Sequence, residues 1–303
     1  MSASFADSRF LRFVMTALLA AVYCGPSWSQ DSPDQTAAQT AQQASDDPSP
    51  TPATDGEASE PSGIGDTTAP GKGQADLDEA VIKRIDAESP DELEAVAALL
   101  ESALRKGLDE ENESFAKKML GSVLMQRGQR LAAAMMAAPG RRQLALRDEA
   151  LQELEDAVKY DPTLVEAHLL IARLNLLTGG DKEAVAKAAS SAIELLADDP
   201  AQRSTAYVIR ALTQDEDAKK IEDLDAAIEA NSENLDAFRA RADLRLQMDN
   251  VEGAIADLEV VLLKDPNNQQ FAGRVLQDLV NLNQVEAAIS LLTKMLATKP
   301  NEG

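Results

Sequence analysis

His168 is the only histidine in the 303 residues and Cys24 the only cysteine. Nucleophilic catalysis needs a nucleophile with a base beside it, and thiolate or multi-histidine metal sites need several such ligands. No serine occupies a Gly-x-Ser-x-Gly elbow. The densest acidic cluster is Asp215-Glu216-Asp217, with Glu222, Asp223 and Asp225 beyond it. It has no glycine where a calcium loop turns, and it reads as the start of a helix, where the dipole favours negative charge. The stretch from Gly65 to Lys72-Gly73 approximates a phosphate loop. However, five residues separate the first glycine from Gly71, where four are required, and Gly73 stands in place of the final Ser or Thr. These residues predict no catalytic, cofactor or metal site, and no enzyme.

The chain carries 52 acidic and 29 basic side chains, a formal net charge of −23. Residues 1–29 hold one acid and two bases, and residues 30–75 hold eight acids and one base. The remaining 43 acids and 26 bases give residues 76–303 a net charge of −17. Such a surface favours solubility and excludes unaided nucleic-acid binding, which needs clustered Lys and Arg. Hydrophobic residues make up 44% of the chain but aromatics only 3%, so Leu, Ala, Val and Ile must build the core.

Arg9 and Arg12 precede an apolar run from Phe13 to Tyr23, followed by Pro26 and Ser27-Trp28-Ser29. That order predicts a signal peptide over residues 1–29, because the run is too short to span a bilayer. The expected mature chain therefore has no transmembrane span, no Cys and no Trp. It would reside in the periplasm or cell envelope, with secretion or lipid anchoring as alternatives. Lipid attachment at Cys24 would prefer a small residue where Tyr23 stands. Residues 30–75 are rich in Gln, Ser, Thr, Ala, Pro and Asp, and they predict a disordered acidic linker because they can bury little apolar surface.

From residue 76 the apolar residues recur at helical spacing. Ser89-Pro90-Asp91-Glu92 is a capping-box helix start, and the helix it opens should run to about Lys106 and stop at Gly107. A short helix over Leu77–Ala87 precedes it. Further on, helix-ending positions recur at Pro162, Pro200, Ser232, Pro266 and Pro300. Their spacing is uneven at first and regular from Ser232 onward, and it defines a repeat of about 34 residues. Within Leu235–Asn268, Phe238, Ala242, Ala254, Leu258 and Pro266 occupy the large, small and closing positions of a tetratricopeptide repeat, and Ala288, Leu292 and Pro300 do so in the next unit. The chain thus resembles the tetratricopeptide repeat family over about residues 110–303. The clearest units are 165–200, 201–234, 235–268 and 269–302. An insertion around Ala137 to Arg141 interrupts the upstream part.

The resemblance implies an all-α, right-handed solenoid of antiparallel helix pairs, in which small residues allow close helix approach and stacking buries what one pair cannot. It also implies a partner groove on the first helices, here at Leu169, Arg173, Leu176, Arg239, Asp243, Leu246 and Gln277. Asp243 stands where a carboxylate clamp would need Asn, so capture of an acidic C-terminal peptide is not expected. Arg173 and Arg239 are the cations able to pair with a ligand carboxylate, unless solvent or internal ion pairs already satisfy them. The last helix, about Val285–Thr298, carries Ile289, Leu292, Met295 and Leu296. These residues either turn inward or form a docking end for a partner or a second copy. The expected function is an exported protein–protein scaffold, and the alternative is a homo-oligomer stacked end to end.

Overall fold

The structure is a computed structural model that describes residues 71–265 and 268–298. The signal segment, most of the linker, Pro266 and Pro300 lie outside the described residues. Twelve helices and no strand occur among those described. They are α1 (Gln74–Asp86), α2 (Pro90–Lys106), α3 (Glu110–Ala137), α4 (Gly140–Tyr160), α5 (Val165–Asn175) and α6 (Lys182–Leu195), then α7 (Pro200–Ala211), α8 (Asp217–Ala230), α9 (Leu235–Gln247), α10 (Val251–Lys264), α11 (Gln269–Asn281) and α12 (Val285–Thr298). Each odd helix pairs with the even helix after it, and α3, α5, α7 and α9 touch one another in sequence along one side. This is an all-α stack of helix hairpins. None of the described helices is long and apolar enough to cross a membrane.

Local chemistry sets the helix ends. The Ser89 hydroxyl accepts from the Glu92 amide, and the Glu92 carboxylate accepts from the Ser89 amide at 2.8 Å. α2 stops at Gly107, which adopts φ +90°, a conformation costly for any residue with a Cβ. Helix α1 begins at Gln74, ahead of the expected start of the folded part at residue 76. The glycines of the apparent phosphate loop explain this. Gly73 donates its amide to the Gly107 carbonyl at 3.0 Å, and a Cβ on Gly73 would fall 2.1 Å from the Ala103 carbonyl oxygen. Gly71 and Gly73 therefore serve close backbone packing against the end of α2.

Of the inserted residues near Ala137, only Ala138 and Pro139 lie outside helices. The others lengthen α3 to 28 residues and α4 to 21, so this hairpin outgrows its neighbours. Downstream, α9 with α10 and α11 with α12 reproduce one unit, helix for helix and turn for turn. Their tight turns place Asp249 and Asn283 at φ +59° and +57°, the left-handed region that short polar side chains tolerate. In the last unit Ala272 occupies the expected large position, and Phe271 beside it supplies the bulk, buried to 7% exposure.

The core runs through the stack as three apolar clusters, over α1–α4, α3–α9 and α9–α12. Helix α9 belongs to two of them. Ala237, Ala240 and Leu244 face back into the middle cluster, and Phe238 and Ala242 face forward into the last. Burial shared between neighbours in this way makes stability a property of the array.

Candidate functional site

Most of the charged residues that stand out in the sequence are committed to structure. His168 donates from Nε2 to the Pro162 carbonyl at 2.9 Å and so braces the turn before α5. In the acidic cluster, Asp215 pairs with Lys182, Glu216 with Lys219, Asp217 with Lys220 and Asp225 with Arg241. Asp223 is buried and holds Arg210 at 2.6 Å. One repeat later, Asp257 is buried in the same way and binds Arg241 at 2.6 Å and Arg245 at 2.7 Å. These two carboxylates join the paired helices of successive hairpins.

The expected groove residues fall into four settings. Leu169 and Leu176 are core residues, 4% and 3% exposed, and do not line a surface. Their side of α5 is covered because burial there extends over Ala167 and Leu169 to Asn175, with Arg173 the exception. Arg173 is half-buried. Its Nε is shielded without a hydrogen-bond partner, and burial lowers its pKa by disfavouring the charged form. No ion pair reaches it among the described residues. Gln277 is exposed and donates to Asn281 at 3.0 Å.

Arg239, Asp243 and Leu246 come together with α11 around a partly open recess of about 350 Å³. Leu258, Phe271, Val275, Leu279 and Leu282 complete its apolar lining, and Arg274 and Asp278 complete its charged lining. The guanidinium carbons of Arg239 and Arg274 lie 4.9 and 5.4 Å from the centre of the Phe271 ring. Arg239 is further held by Asp236 at 3.0 Å and by Asp265 at 3.8 Å. The Asp243 carboxyl is pushed up to about 6, first by desolvation and then by the nearby Asp278, against the opposing charge of Arg274. Neither Asp243 nor Asp278 makes a side-chain hydrogen bond or an ion pair with another described residue.

Reasoning from repeat positions misses Phe271, Arg274 and Asp278, because those positions mark only the near side of each first helix. The far side comes from the next helix, one step round its axis. A signal for it exists in the sequence: Arg239 and Asp243 are four residues apart, and Arg274 and Asp278 repeat that spacing on α11. The sequence also does not single out a shallower trough between α1 and α3, lined by Val81, Ile85, Phe115 and Met119 with Arg84 and Lys118.

On α12, Ile289, Leu292 and Leu296 are 60%, 44% and 65% exposed. Met295 is not part of that surface. It is 8% exposed and packs into the last apolar cluster, because it lies on the side of α12 that faces the preceding helices.

No family model matches the chain, and no curated protein matches it. Among solved structures the chain is similar to MamA, at 20% identity over 52% of this chain and 91% of that one, with a TM-score of 0.43. It is also similar to a tetratricopeptide repeat protein from Parabacteroides merdae, at 16% identity over 75% and 81% of the two chains and a TM-score of 0.43. A third is TTC0263, a tetratricopeptide repeat protein from Thermus thermophilus, at 18% identity over 69% and 99% with a TM-score of 0.36. The hairpins themselves, with a recurring unit, small residues at helix crossings and one core shared along the stack, make the described chain a tetratricopeptide-like helical array.

Proposed function

We propose that this protein is a scaffold that holds a segment of a partner protein along its row of odd-numbered helices, anchored at the recess between α9 and α11. The observation that supports this most is the recess itself. It combines apolar lining with charged groups on adjacent first helices, and two of its carboxylates, Asp243 and Asp278, make no side-chain hydrogen bond or ion pair among the described residues. Pockets that bind ligands show this mixture of apolar lining with a few directed polar groups. A photo-crosslinking residue at Gln277, beside the recess, should give partner adducts in the cells that make the protein. The same residue at Glu229, on the exposed side of α8, should not. Equal labelling from both positions, or none from Gln277, would sink the reading.

The residues that precede the array support export. The basic start, the short apolar run and the small residues at Ser27 and Ser29 form the order of a cleaved leader. Sequencing the N-terminus of protein recovered from cells should begin at Gln30. An N-terminus at Met1 would remove export by cleavage.

A second reading is favoured by the exposed face of Ile289, Leu292 and Leu296, which would join copies end to end. Sedimentation should then show mass rising with concentration, and Leu296→Asp should abolish the rise. A monomer at all concentrations discards this reading and leaves the scaffold intact.

A further inference from the structure

We propose that the recess between α9 and α11 seats a cationic side chain, Lys or Arg, of the partner segment, with its methylene stem on the apolar lining and its charge between Asp243 and Asp278. This rests on the groove reading above and names the partner's chemistry at that site. Four charged side chains line the recess, and they are not equivalent. Arg239 has carboxylates of its own in Asp236 and Asp265, and Arg274 lies over the Phe271 ring. Asp243 and Asp278 are the acceptors that remain, on facing helices and near enough to repel each other, and the charge of Arg274 offsets only part of the cost at Asp243, whose carboxyl stays raised.

The physics of the site favours this occupant over others. A carboxylate withdrawn from water costs free energy unless a cation or donors replace its hydration. A guanidinium or ammonium between the two carboxylates would supply that replacement and cancel their repulsion. Long basic side chains lay their stems along apolar surface and keep the charge at the polar end, which matches Leu246, Leu279 and Leu282 beside the two aspartates. An acidic side chain would meet both carboxylates, and it would approach a helical region of net charge −17. A purely apolar side chain would leave both carboxylates desolvated and unpaired.

The recess also fixes how this binding responds to pH. The charged groups that face Asp243 are Arg239 on its own helix and Arg274 and Asp278 on α11, while α10 contributes only Leu258. Protonating Asp243 removes half of the acceptor pair, so binding of a cation weakens as the solution is acidified.

The test uses the full chain with labelled leucine methyl groups and two probes of the same shape, n-butylguanidinium and neutral n-butylurea. The guanidinium should shift the Leu246, Leu279 and Leu282 methyl signals saturably in the millimolar range and bind about tenfold more tightly than the urea. Asp278→Asn and, separately, Asp243→Asn should bring the two probes to equal affinity, and the methyl spectrum of each free variant checks that it is folded. Equal affinity of the two probes for the unaltered protein would overturn the proposal. So would an unchanged preference in both variants, or no saturable shift. If the probes fail while crosslinking from Gln277 succeeds, the cationic anchor is wrong and the groove stands. If crosslinking fails while the cation binds, the scaffold reading is what falls.

Discussion

Leu262 and Leu296 hold the same place in consecutive repeats, yet Leu262 is fully buried and Leu296 is 65% exposed. Leu258 and Leu292 differ in the same way, at 4% and 44%. The covering element makes the difference. The following hairpin covers α10, with α12 packed on it and residues of α11 and α12 in the same apolar cluster as Leu258 and Leu262, and no described hairpin follows α12. Leu262→Ala should therefore cost about 2 to 5 kcal/mol in urea unfolding, and Leu296→Ala less than about 0.5 kcal/mol for the monomer. Comparable losses would mean that α12 is covered in solution.

The pair of Arg241 and Asp257 has an apolar counterpart in the next unit, where Val275 and Leu291 occupy the equivalent positions and are both buried. Removing one member of a buried ion pair strands the other, whereas replacing both with packed apolar groups is often neutral or better. Asp257→Ala should cost about 3 to 5 kcal/mol. Because Asp257 also holds Arg245, whose counterpart in the next unit is the buried Leu279, the matching apolar replacement is Arg241→Val with Arg245→Leu and Asp257→Leu, and it should unfold within about 1 kcal/mol of the unaltered protein. A triple variant as unstable as the single one would show that the ion cluster is essential to the stack.

Asp243 gives the stability a pH signature. Its folded pKa lies above the ordinary carboxylate value, so the folded chain holds this proton more tightly than the unfolded chain. The associated stability is present below about pH 4 and is lost as pH rises through about 6. Asp243→Asn removes the titration. The variant should gain on the unaltered protein between those limits, by on the order of 1 to 2 kcal/mol at neutral pH after solvent screening. Asp76, Glu92 and Asp109, held low by hydrogen bonds to Lys106, Ser89 and Asn112, act in the opposite direction at lower pH and are common to both proteins. A parallel pH dependence of the two proteins would contradict this account.

Arg173 should show a trade between stability and binding. A half-buried cation without an ion-pair partner is costly to the fold, so Arg173→Met should raise stability by about 1 kcal/mol in thermal or urea unfolding. If the groove extends this far, the same substitution should weaken partner crosslinking from Gln277. A destabilised variant would mean that the guanidinium is satisfied in solution.

The sequence by itself determined the helices and their order. Ser89, Glu92 and Gly107 mark the limits of α2 because capping depends on atoms a few residues apart. The recurring spacing of the helix-ending positions determined the pairing, because equal hairpins with small crossing residues can only stack. Tertiary structure alone decided which side chains the neighbours cover. Leu169 and Leu176 hold groove positions but are core, and Met295 shares α12 with exposed residues but turns inward. It alone also brought Arg274 and Asp278 across from α11 to face Asp243. A repeat pattern records each position's distance along the chain, whereas burial, ion pairing and the charge cost at Asp243 depend on what the adjacent hairpin places within a few ångströms.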